Sequence, residues 1–224
     1  MFMAPLKVHQ IWFGGNMPAE ETQWTQGIRA GAERAGLEYN LWTETEIQRE
    51  FGDEPAWGFF RNLLDVEPGP KVLTLMSDYY RFRVLATHGG VYLDTDFMLS
   101  GDFPELPQCA GILAATEFWA PNKPCTGFLA VDAPANFSAV MSAADAQLHI
   151  CRCGLSTLGA ADWWRANGGR NILNLWGPKW YRQRGLRAAM RAGVPVHMVH
   201  PRLVGHVQWK TPSGLTHVGT AHWH

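Results

Sequence analysis

Apolar residues recur along the chain with two alternating periods. Lys7 to Phe13 is a short apolar run stopped by Gly14-Gly15, the pattern of a strand buried on both faces. Residues from about Ala19 to Ala35 have helical spacing ended by Gly36. Leu37 to Trp42 then predicts a second strand, and Thr43 to Phe51 a second helix. Pro68-Gly69-Pro70 breaks the chain. Val72, Leu75, Met76 and Tyr79 follow at helical spacing until Gly89-Gly90 supplies a C-terminal cap. Val91-Tyr92-Leu93 predicts a strand ending at Asp94-Thr95-Asp96. Further strands are expected at Gly111 to Ala115 and Thr126 to Val131, helices at Ala135 to Leu148 and Pro178 to Ala192, and irregular chain from His197 onward. Strands alternating with helices, without an internal repeat, predict one α/β domain with a mostly parallel sheet over residues 1–224. A tail such as the one after His197 often closes over a site.

Composition narrows the class. With 224 residues, 46% hydrophobic and 17% charged, the chain is neither disordered nor coiled-coil in character. No apolar run approaches the roughly 18 residues of a membrane span. The N-terminus lacks the basic and apolar stretches of a signal peptide, so a cytoplasmic protein with reduced thiols is expected. The overall charge of −1 hides an asymmetry: residues 1–162 carry 20 acids against 10 bases, and residues 163–224 carry nine bases and no acid. Six tryptophans, Trp163, Trp164, Trp176, Trp180, Trp209 and Trp223, share that basic segment. Positive charge beside flat aromatic surfaces suits nucleic acids and nucleotides, while docking of the basic third on the acidic remainder explains the same near-zero total.

Chemistry concentrates at two places. Asp94 and Asp96 stand two apart at the end of an apolar strand, and alternation turns both carboxylates to one side if the strand persists. Hard oxygen ligands of this kind suit Mg²⁺ or Mn²⁺ carrying substrate phosphates. Upstream, Asp78 and Arg81 share a helix face. They form either an exposed ion pair worth roughly 0.2–0.5 kcal/mol or a carboxylate–guanidinium grip on sugar hydroxyls. His149, Cys151 and Cys153 lack a second Cys/His pair at zinc spacing, and the absence of Gly-x-Gly-x-x-Gly and of Gly-x-x-x-x-Gly-Lys disfavours dehydrogenases and P-loop enzymes.

Two blocks, Val8-His9-Gln10-Ile11-Trp12-Phe13-Gly14-Gly15 and Ser77 through Asp96, resemble the DXD-motif glycosyltransferases, which include yeast initiating mannosyltransferases and glucosylating clostridial toxins. The resemblance implies a GT-A type, Rossmann-like nucleotide-sugar-binding fold, with donor and metal in residues 1–100 and the acceptor side in 101–224. It further implies a nucleotide-sugar donor, a UDP-sugar before a GDP-sugar, a divalent cation that is usually Mn²⁺, and transfer with retention. Within it, Gln10 belongs to the donor-binding block, Trp12 stacks on the donor base, and Asp78 and Arg81 hold the donor sugar. Asp94 contacts ribose and sugar, Asp96 binds the metal, and His222 is the expected further ligand. Lys179, Arg182, Arg184, Arg187 and Arg191 fall on one expected helix. They point to a polyanionic acceptor, first of all DNA with hydroxymethylated pyrimidines, whose target base must be flipped. A transferase of surface polysaccharide or lipopolysaccharide and a silent nucleotide-sugar or nucleic-acid binding module stand as alternatives.

Overall fold

A computed structural model describes residues 7–106, 110–117, 120–167, 175–199, 205–206 and 215–218. The chain opens with β1 (Lys7–Ile11), α1 (Ala19–Arg34), β2 (Glu38–Trp42) and α2 (Glu44–Phe51). Thr43 caps α2 in a reciprocal box with Glu46, which satisfies two backbone donors that the first turn leaves open. Next come α3 (Pro55–Leu64), α4 (Pro70–His88), β3 (Gly90–Leu93) and β4 (Phe97–Leu99). The second half holds β5 (Ile112–Glu117), β6 (Ala120–Val131), α5 (Ser138–Leu158) and α6 (Ala160–Asn167). It continues with α7 (Pro178–Trp180), a π-helical turn over Tyr181–Gly185, and α8 (Leu186–Arg191).

The central sheet has the order β2-β1-β3-β6-β5-β7, with β7 at Val196–Val199. β1 lies parallel to both β2 and β3, and β5 parallel to β7, whereas β6 runs antiparallel to both its neighbours. This is the expected mixed α/β architecture with a mostly parallel sheet. Alternation along the strands divides two cores. Tyr92, Ile112, Ala114, Leu129 and Val131 face a large core built on α2 to α8, whereas Val91, Leu93, Leu113, Ala115, Phe128 and Ala130 face a smaller one with Ile28 and Ala32 of α1.

Several expectations need correction. α3 and α6 are additional helices, and the run after His197 is not wholly irregular. β7 extends the main sheet, while β8 (Gly205–His206) and β9 (Leu215–His217) join β4 in a three-stranded sheet. Trp163, Trp176 and Trp180 are buried in the larger core and offer no stacking surface. Among the described residues, the segment after Asp162 makes an ion pair through Arg165 with Asp162, and the arginines of α8 and its preceding turn make none with the acidic remainder. Arg182, Arg184, Arg187 and Arg191 are exposed.

Candidate active site

The two glycines after α4 place the site. Gly89 and Gly90 have φ of +66° and +85°, and a Cβ on Gly90 would sit 2.3 Å from the Lys7 carbonyl oxygen. Only glycine lets α4 turn straight into β3 beside β1. Helix α4 therefore lies against the strand that delivers the Asp94-Thr95-Asp96 turn.

That strand ends at Leu93. Asp94 to Asp96 form a tight turn rather than a strand extension, with the Phe97 amide donating to the Asp94 carbonyl (3.2 Å) and the Asp94 amide donating to Gly127 O (2.9 Å). The expected alternation of the two carboxylates gives way to turn geometry, yet both residues line one cleft of about 350 Å³ with Ile11, Trp12, Ser77, Asp78, Arg81 and Thr126.

Arg81 is the hub. Its side chain is 6% exposed and donates through Nη2 to Asp78 Oδ1 (2.8 Å), through Nη1 to Thr126 O (2.8 Å), and through Nε to Ser77 O (3.3 Å). Nη1 also pairs with Asp94 Oδ1 at 3.2 Å, and the guanidinium lies 4.9 Å from the centre of the Tyr92 ring. The Tyr92 hydroxyl donates to the same Asp94 oxygen at 2.7 Å. The Asp78–Arg81 pair is thus buried, which removes the exposed-pair reading. Burial pushes the Asp78 carboxyl up to about 6, against the pull of Arg81 and with the repulsion of Asp94. Burial disfavours the Arg81 cation, but Asp94, Tyr92 and Asp78 together hold its pKa above the usual arginine range.

Trp12 is half-buried at the cleft, its indole N–H donating to Gly15 O at 3.0 Å. Gln10, expected in the donor-binding block, stands behind the cleft and not in its lining. It is fully buried, donates to the Asp94 carbonyl at 3.0 Å, and accepts from the Tyr39 hydroxyl at 2.9 Å. On the other face of β1, His9 is held neutral, its pKa lowered to about 3 by burial and then by His88. It receives the Trp42 indole N–H and contacts Gly89 O.

Strand β9 returns beside the aspartate turn: Phe97 pairs with His217, and the Val218 amide donates to Asp96 O at 2.8 Å. The tail therefore reaches the site, while His222 lies outside the described residues. Pro178 lines the cleft, but Lys179, Arg182, Arg184, Arg187 and Arg191 do not. Sequence reasoning missed Tyr92, Thr74, Thr95 and Glu21, all lining the cleft, and Gly127, against which Asp94 packs. Tyr92 was readable from strand alternation, two residues before Asp94. Glu21 carried no signal beyond its place in the first turn of α1.

The cation expected here fits the donor set. Four carboxyl side chains, Glu21, Asp78, Asp94 and Asp96, line the cleft against one guanidinium. Asp94 Oδ1 is engaged by Arg81 and Tyr92. Among the described residues no group of three or more His, Cys, Asp or Glu side chains is placed to hold a metal ion by itself.

Comparison with known proteins agrees with this geometry. Residues 37–119 match the family model described as glycosyltransferase sugar-binding region containing DXD motif. A search of curated proteins finds no match. Among solved structures, the chain is similar to PaToxG glycosyltransferase, with 18% identity over 84% of this chain and 73% of that one and a TM-score of 0.52. It is also similar to the ligand-free glycosyltransferase domain of the YGT toxin, with 10% identity over 86% and 79% and a TM-score of 0.52. These likenesses concern the fold. Residues 37–119, which span α4, β3 and the aspartate turn, are thus similar to the DXD sugar-binding region of glycosyltransferases, and they sit in a GT-A type fold.

Proposed function

We propose that this protein moves a sugar from a nucleotide-sugar to an acceptor hydroxyl with retention, using a divalent cation held by Asp96. The observation that carries the proposal is the cleft itself: its four carboxyl groups and single guanidinium would repel a donor diphosphate unless a cation came with it. Mn²⁺ or Mg²⁺ bound there supplies charge neutralisation of the leaving diphosphate. Trp12 offers its face to the base. Asp78 and Arg81, fixed by Thr126, Ser77 and Asp94, present an acceptor and donor to the sugar hydroxyls. Gln10 and Tyr92 position Asp94. The bond from the anomeric carbon to the phosphate oxygen breaks while the acceptor oxygen bonds on the same face. The acceptor proton passes to the departing phosphate, so no enzyme nucleophile takes part.

For the acceptor, hydroxymethylated DNA retains the support of four exposed arginines and loses that of the tryptophans buried in the core. A surface polysaccharide or lipopolysaccharide needs no stacking platform, and exposed Met190 and Ile150 beside the arginines favour it. Release of nucleoside diphosphate from UDP- and GDP-sugars with Mn²⁺, without acceptor and then with each acceptor class, tests the proposal. Failure to release it from any donor would remove it.

A further inference from the structure

A second surface lies outside the cleft. On one flank of α8, a hollow is lined by Ile150, Gln147, Arg184, Arg187 and Arg191. On the other flank, a second hollow is lined by Arg182, Met190, Val196 and Met198. Arg187 and Gln183 line both, so the two form one strip across the helix. Neither hollow has an acidic residue in its lining. Ile150 is 64% exposed, Met190 63% and Met198 45%, which places three of the most exposed large apolar side chains among the described residues on this strip.

We propose that this face docks on a membrane surface rich in anionic lipid. Charge complementarity carries the assignment: arginines without acidic neighbours attract an anionic surface, and unbranched or aliphatic side chains between them enter the headgroup region while the guanidinium groups stay at phosphate level. A nucleic acid would use the arginines equally but has no use for exposed Met190, Met198 and Ile150, and Trp163, Trp176 and Trp180 of the same basic segment are buried and cannot stack on bases. No helix among the described residues is long and apolar enough to cross a membrane, and the proposed contact is made by this face alone. This inference does not rest on sugar transfer.

The test is sedimentation of the whole protein with vesicles of phosphatidylcholine alone and with 30% phosphatidylglycerol, beside a fluorescence titration with duplex DNA. The protein should sediment with the anionic vesicles only. R184Q/R187Q/R191Q should lower partitioning by roughly 100-fold, at about a fivefold loss per arginine. M190S/M198S should lower it further at unchanged net charge. Both variants alter exposed residues, and a melting curve matching the parent confirms the fold. Equal partitioning to neutral and anionic vesicles, no vesicle binding, DNA binding with no vesicle binding, or a protein dimer that buries Met190 would each overturn the proposal.

Discussion

Replacing Arg81 by Met removes the hub of the cleft without changing side-chain bulk much, and its cost follows from burial. Asp78, 8% exposed in its side chain, loses a partner at 2.8 Å, and the Thr126 carbonyl loses a donor at the same distance. Breaking a buried pair by deleting one member costs about 3–5 kcal/mol, since the other charge is left desolvated. An exposed i, i+3 pair would cost about 0.2–0.5 kcal/mol. Adding Asp78→Asn should recover about 1–3 kcal/mol, because the stranded charge is then gone. Lowering the pH should narrow the gap between R81M and the parent. Burial already raises the Asp78 pKa to about 6 in the folded state, and without Arg81 the folded chain holds that proton more tightly than the unfolded one. The resulting stabilisation is fully present below the unfolded value of 3.8 and is lost as pH rises through the folded pKa. Urea unfolding of the parent and both variants at pH 7 and pH 5, with midpoints compared at a common slope, measures all three effects. A cost under about 0.5 kcal/mol for R81M at pH 7 would refute the buried network.

Further predictions concern the supports of the site. Gly127→Ala places a Cβ 2.6 Å from Asp94 Oδ2, so donor affinity should fall with a stability loss of about 1–3 kcal/mol, read by nucleotide titration and melting. Trp12→Ala should raise donor KM roughly tenfold to hundredfold with kcat little changed, because base stacking is equal in ground and transition states. Steady-state kinetics over donor concentration decides, and a fall in kcat alone would contradict it. The folded pKa of His9, about 3, lies below its unfolded value of 6.5, so its contribution to stability is present above 6.5 and lost as pH falls. His9→Gln should therefore diminish the stability lost between pH 7 and pH 5 by about 2 kcal/mol, measured by denaturant titration.

Much of the donor half was legible because its signals are local. Gly89-Gly90 marks the turn that only glycine permits, the apolar β3 marks a central strand, and the spacing from Asp78 to Asp96 carries the resemblance. Helix α3 was also readable in principle, since Ala56, Phe59, Phe60 and Leu63 fall at helical spacing behind an N-terminal proline. Burial was not legible. Asp78 and Arg81 look like a surface pair because α4 is covered on every side, a property of its neighbours and not of its own pattern. The tryptophans of the basic segment misled for the same reason: composition shows that Trp163, Trp176 and Trp180 are present, whereas packing against Phe59, Tyr79 and Phe82 decides that they are core. Strands β7 and β9 escaped notice because they are short and are held by pairing with distant β5 and β4.

The central claim is that Asp96 holds a cation without which the acidic cleft cannot accept a diphosphate. Calorimetric titration of UDP and GDP into the parent and Asp96→Asn, each with Mn²⁺ and with chelator, tests it directly. The account predicts binding by the parent that weakens at least tenfold in chelator, and weak binding by the variant that Mn²⁺ does not restore. Equal nucleotide affinity in chelator and Mn²⁺ for the parent, or full Mn²⁺-dependent affinity in the variant, would contradict it.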